Sequence, residues 1–172
     1  MKYVSYQHNP RVSSLLQIIS ESPGLTFTEI MRRSGLANGV LSHYLSNMEK
    51  RVMVRSTRGK KMTWYFLPHH PAEEDSIIIS LRKETSKNIL SFLLTRKHAT
   101  FVEITRAAKK SPPVVSISLS HLQDLGLVKA TSGFVKKYEI TDPNTIMRLS
   151  EKIDSTTFDK IKDRFEDTFS YF

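Results

Sequence analysis

The 172-residue chain contains no cysteine, which excludes disulfide staples, thiol catalysis and cysteine-based zinc sites together. Its stability must come from packing. No apolar run approaches the ~18 residues needed to span a bilayer, and Met1-Lys2-Tyr3-Val4-Ser5-Tyr6 lacks the apolar stretch of a signal peptide. A soluble, cytoplasmic protein is expected, nucleoid-associated if its source is prokaryotic. Glycine is scarce, at 6 residues, and there is neither a glycine-rich phosphate loop followed by Lys-Ser/Thr nor a nucleophile elbow. The expectation is a protein without catalysis and without a cofactor. The six histidines (His8, His43, His69, His70, His98 and His121) include no His-x-x-x-His pair, so no metal site is expected either.

Acidic residues are also few. Against 26 Lys and Arg stand 17 Asp and Glu, a formal net charge of +9 and a pI near 9.8. The excess is uneven: +7 up to Pro71, from 10 basic and 3 acidic residues; +4 from Ala72 to Thr141, from 11 and 7; and −2 from Asp142 onward, from 5 and 7. A basic body attracts polyanions over a Debye length, and an acidic end is poorly placed against phosphates. Nucleic acid should therefore meet the first part of the chain most strongly.

What the chain does contain is an internal duplication. Thr26-Phe27-Thr28-Glu29-Ile30-Met31-Arg32 returns as Thr100-Phe101-Val102-Glu103-Ile104-Thr105-Arg106, an offset of 74 residues, and Val40 to Ser46 returns as Val114 to Ser120. Roughly a third of the positions from Thr26 to Thr57 are identical in the second copy without a gap, and the period is too long for a solenoid. Each unit of about 70 residues is near the lower size at which one core folds unaided. The expected organisation is a first unit over residues 1–71, a second over 72–141 and a terminal element over 142–172.

Within the first unit, Asn9-Pro10 offers a cap before Val12, Leu15, Leu16, Ile18 and Ile19, which recur at helical spacing. Thr26 or Thr28 can cap a short second helix, with Gly35 supplying the turn. A third helix is predicted from about Ala37 to Arg51, turning Val40 or Leu41, Tyr44, Leu45 and Met48 inward and leaving Asn38, Gly39, Ser42, His43, Ser46 and Asn47 largely free. Val52 to Thr57 and Met62 to Leu67 then read as a two-stranded hairpin with Arg58-Gly59-Lys60-Lys61 at its tip. The second unit repeats the plan, with helices over Lys87 to Thr95, Phe101 to Lys109 and Pro112 to Leu125, followed by strands on either side of Ser132-Gly133. Ile77-Ile78-Ile79 fits a helix or a strand equally well.

Gly35 to Glu49 resembles the turn and recognition helix of winged helix-turn-helix regulators of the ArsR/MarR type, and Leu119 to Val128 resembles the end of that helix entering the first wing strand. The likeness covers roughly residues 10–141, in a tandem arrangement similar to that of small archaeal regulators. It implies a mainly α fold with small β-hairpin wings (α+β), made of two tandem winged helix-turn-helix domains plus a C-terminal helix. It also implies a partner, double-stranded DNA, with Asn38, Gly39, Ser42, His43 and Asn47 toward base edges and Arg55, Arg58, Lys60 and Lys61 toward phosphates. In the second unit Lys109, Lys110, Lys136 and Lys137 are candidates to track phosphate. There the helix opens with Ser111-Pro112-Pro113 and carries Ile117 where the first carries His43, so the first unit is expected to be the main reader. Bracing or subunit contact is the other role open to the second unit. A non-enzymatic protein-interaction subunit of a transcription or chromosome-organising complex is the competing reading of the whole chain. No residue pattern names an operator or a small-molecule effector.

Beyond Pro143, Ile146, Leu149, Ile153, Phe158, Ile161, Phe165, Phe169 and Phe172 recur mostly at three or four residues. Such a stripe needs a partner. Homodimerisation through Ile146, Leu149, Ile153, Phe158, Ile161, Phe165 and Phe169 is the expectation, and folding back onto the second unit is the alternative.

Overall fold

The computed structural model describes residues 9–153. They divide into two compact units, one ending at Asp75 and the other starting at Ser76.

In the first unit, helix α1 (Pro10–Glu21) starts where the Asn9 side chain accepts the Arg11 N–H at 2.9 Å, and it buries Val12, Leu15 and Ile19. A two-residue strand, β1 (Leu25–Thr26), leads into α2 (Phe27–Ser34). Thr26, and not Thr28, is the cap. Its hydroxyl accepts from Glu29 N at 3.4 Å while the Glu29 carboxylate accepts from Thr26 N at 2.8 Å, so each side chain satisfies the other residue's otherwise orphaned amide. Gly35, at φ 67°, ends α2, and α3 (Asn38–Lys50) follows after two residues. Leu41, Leu45 and Met48 form its buried seam, joined with Val12, Leu15, Ile19, Leu25, Ile30, Val54 and Tyr65 in one core. Of the two candidates for the inward stripe Leu41 takes the place, since Val40 is 38% exposed.

The sheet has three strands where two were expected. Strands β2 (Arg55–Arg58) and β3 (Thr63–Phe66) form the antiparallel hairpin, and β1 adds to the far side of β3, giving the order β1-β3-β2. A two-residue strand has no periodicity to see. Val52 and Met53, read as strand, instead close the end of α3, with Met53 N donating to Met48 O at 2.9 Å.

The Ile77-Ile78-Ile79 run is helical, inside α4 (Asp75–Arg82). Helix α5 (Glu84–Thr95) starts three residues earlier than expected and buries Ile89, Leu90, Leu93 and Leu94. From there the second unit reproduces the first. Strand β4 (Ala99–Thr100) precedes α6 (Phe101–Ala108), where Thr100 and Glu103 rebuild the same capping box with contacts of 2.8 and 3.4 Å. Helix α7 (Pro112–Asp124) buries Val115, Leu119 and Leu122, and β5 (Val128–Thr131) and β6 (Lys137–Ile140) complete a sheet of order β4-β6-β5.

The two copies divide a backbone cost differently. Each needs a left-handed residue after its second helix and another after its third. The first copy places Gly35 at φ 67° and Val52 at φ 56°; the second places Lys109 at φ 53° and Gly126 at φ 70°. Only glycine adopts this region freely, and a β-branched residue such as Val52 adopts it least readily.

Helix α8 (Pro143–Ile153) follows Asp142, whose carboxylate accepts from Thr145 N at 3.2 Å and from the Thr145 hydroxyl at 2.7 Å. Its stripe residues Ile146 and Leu149 are 1% and 0% exposed within the chain itself, and Ile153 is half-buried. Those two side chains are therefore already covered within the chain. Phe158, Ile161, Phe165 and Phe169 lie outside the described residues. Among those described, no helix is long and apolar enough to cross a membrane.

Candidate nucleic-acid interface

Burying Leu41, Leu45 and Met48 forces the opposite side of α3 outward. Asn38, Gly39, Ser42, His43 and Ser46 are exposed, and Asn47 is half-buried. Asn38 is free of the capping role, because Ala37 holds that position without a side-chain bond. The Asn47 amide and the His43 Nε2 lie 3.0 Å apart, one helical turn apart in sequence. The pair fixes both side chains before any ligand arrives. No acidic residue occupies the first turn of α3, so nothing offsets the positive end of its dipole.

The hairpin tip of the same unit holds Arg58, Gly59, Lys60 and Lys61, all exposed. Gly59 N donates to Met62 O at 2.8 Å to close the turn. A Cβ at Gly59 would lie 2.8 Å from the Trp64 ring, so the indole is folded directly over the tip. The three successive buried residues of this strand, Trp64, Tyr65 and Phe66, are covered separately: Tyr65 joins the core, while on the other face Trp64 lies over the tip and Phe66 stacks on His70 at 5.4 Å.

Arg55 does not belong with this cluster. Its Nη1 and Nη2 donate to the two carboxylate oxygens of Asp75, the second at 2.8 Å, and Nη2 also donates to His70 O at 2.9 Å. The guanidinium stands 4.9 Å from the centroid of Phe66, and Thr57 Oγ1 donates to the same carboxylate at 2.8 Å. The bond to Asp75 raises the Arg55 pKa above its ordinary high value, against the opposing effect of burial. This fork ties the wing to residues 70–75 and engages the Arg55 guanidinium within its own unit. Asp75 lies 20 residues away in sequence, and only the fold brings the two together.

Arg32 and Arg33 were not among the expected residues. They are exposed in the last turn of α2, just before the turn into α3. The signal was a basic pair one residue short of Gly35.

The second unit presents a different surface. On α7, Pro112 and Pro113 replace Asn38 and Gly39, and Ile117, 72% exposed, replaces His43. Lys110 is drawn to Glu84 at 3.0 Å. Lys136 rests 5.3 Å from the Tyr138 ring centroid, Lys109 is exposed at its left-handed position, and Lys137 is half-buried. Among the described residues, no group of three or more His, Cys, Asp or Glu side chains is arranged to hold a metal ion.

Residues 8–51 match a family model described as winged helix-turn-helix DNA-binding, and residues 83–130 match one described as bacterial regulatory protein, arsR family. Each match spans the three helices of one unit up to its recognition helix or the first wing strand. No protein of curated function is a significant match to the chain.

Proposed function

From the premise of a DNA-binding transcription regulator built of two winged helix-turn-helix domains in tandem, we propose that the first unit reads sequence and the basic tip beside it supplies phosphate contacts. Helix α3 enters the major groove by its N-terminal end. Asn38, Ser42, His43 and Asn47 meet base edges, with Asn able to bond an adenine in bidentate fashion. Arg58, Lys60 and Lys61 lie along the neighbouring backbone, and Arg32 and Arg33 add charge at the entry to the helix. The observation that carries this reading is the continuous exposed polar face of α3, prearranged by the His43–Asn47 contact and free of acidic residues in its first turn. The second unit, with Ile117 in place of His43, has fewer hydrogen-bonding groups for the groove. A homodimer completes the proposal, its contact assigned to the stripe beyond Ile153, because two linked readers gain avidity of up to ~10²–10⁴-fold on a two-fold site.

The test separates positioning from reading. After selection of a preferred duplex from a random pool, Asn47→Ala is expected to cost roughly 1–3 kcal/mol on that duplex and much less on random DNA. Replacing Lys60 and Lys61 with Ala should weaken both duplexes alike. Equal losses on specific and random DNA from the α3 variant would show that this helix does not read bases.

A further inference from the structure

The two wings are not equivalent. In the first, Thr57 faces Trp64 across the hairpin; in the second, Thr131 faces Lys137. The same difference recurs on the other side of the central strand, where Leu25 faces Tyr65 but Ala99 faces Tyr138. Strand β6 thus matches β3 at an offset of 73 residues, while the rest of the unit matches at 74. Lys137 consequently stands where Trp64 stands, and no indole is available to fold over the second tip. In the second tip the aromatic residue is Phe134 instead, in the loop between β5 and β6, and its relative exposure is 109%. Val135 beside it is 53% exposed.

A phenyl ring held fully in water at the end of a narrow hairpin costs solvation energy and contributes nothing to the core. Its neighbours identify what would cover it. Lys136 and Lys137 follow directly, and Lys129 lies on the adjoining strand, 3.1 Å from Glu139. Protein-docking patches are depleted in lysine at their centre, whereas a ring set among cations suits a polyanion with stackable faces. Apolar side chains presented by a basic element are a means of entering duplex DNA between base steps.

We propose that Phe134 is a wedge which inserts at a base step of duplex DNA, with Lys136 on the adjoining phosphate. The inference rests on the DNA-binding reading and adds a second mode to it. The first unit reads base edges, while the second selects DNA by how readily it unstacks. Pyrimidine–purine steps such as TA open most easily, so the wedge should favour them without any hydrogen bond to a base.

The experiment uses the full chain and duplexes carrying 2-aminopurine beside a TA step, with fluorophores on the two ends. The wild type should raise the 2-aminopurine emission and shorten the end-to-end distance. Phe134→Ala should abolish both signals and weaken binding by about tenfold, since lost stacking is offset in part by the unstacking no longer required. Its salt slope should be unchanged, since every lysine is retained. Phe134→Leu, which keeps an apolar wedge, should keep the bend. Because the ring packs on nothing, neither variant is expected to alter the fold, and circular dichroism checks this. Unchanged affinity and bend in Phe134→Ala would overturn the wedge while leaving salt-dependent DNA binding intact. Unchanged DNA binding with a smaller species in light scattering would make this tip a contact between protein chains. Failure of the wild type to bind duplex DNA would remove the DNA-binding reading and the wedge together.

Discussion

Val52→Gly is expected to stabilise the first unit even though it deletes a side chain. Val52 sits at φ 56° and is 72% exposed, so the substitution relieves backbone strain and gives up little packing. A non-glycine residue in the left-handed region pays roughly 1–2 kcal/mol, and a β-branched one belongs at the upper end. Against this, glycine loses more freedom on folding, at about 0.5–1 kcal/mol, and the small buried fraction of the valine is worth a few tenths more. The net gain is about 0.5–1 kcal/mol. The second copy makes the same argument independently, since its equivalent position is already Gly126 at φ 70°. A single tryptophan, Trp64, lies in the first unit and is 9% exposed, so its fluorescence follows the unfolding of that unit alone. With a slope near 1 kcal/mol per molar urea, the midpoint should rise by roughly 0.5–1 M. Gly126→Ala should do the reverse to the second unit. An unchanged or lowered midpoint for Val52→Gly, with the slope preserved, would refute the strain argument.

Two further outcomes follow from the polar contacts. Asp75→Asn leaves the Arg55 fork without its charged partner beside Phe66, and the Trp64-monitored stability should fall by about 2 kcal/mol, below the range for fully buried pairs because the Arg55 side chain is 27% exposed and the amide still accepts one bond; Arg55→Lys by itself should also lower it, lacking two parallel donors. Glu103, whose carboxylate accepts from the Thr100 amide and hydroxyl, has its pKa lowered from 4.5. A depressed carboxylate contributes stability that is present above its unfolded pKa and lost as pH falls through the lower folded value. Urea melts of the second unit by circular dichroism should therefore weaken below about pH 4.5, and Glu103→Gln should be less stable at neutral pH and show a shallower acid loss.

The elements with a period were legible in the sequence. Leu41, Leu45 and Met48 announce α3 by their spacing, and Thr26 with Glu29 marks the start of α2 by a local pairing that spans only three residues. The two-residue strands β1 and β4 carry no period and were missed. The fork that engages Arg55 was not legible, because charge and position on the wing are visible in the sequence, whereas a partner 20 residues away is not. The unequal wings were hidden by the duplication itself. A gapless offset of 74 places Tyr138 on Trp64, one aromatic on another, and conceals that the backbone pairs Lys137 in the tryptophan's place. The polar side of α3 was visible as the complement of its apolar seam, but the His43–Asn47 contact that prearranges it depends on side-chain rotamers that no spacing specifies.

Duplex DNA held through the cations of the first wing should release counterions on binding. Fluorescence anisotropy of a labelled random duplex, titrated with the full chain at a series of salt concentrations, tests it most directly. With Arg58, Lys60 and Lys61 each neutralising a phosphate, log affinity against log salt should fall with a slope of about −2.7 or steeper per chain, and replacing Lys60 and Lys61 with Ala should make the slope shallower by about 1.8. A flat salt response, or no binding at low salt, would contradict the account.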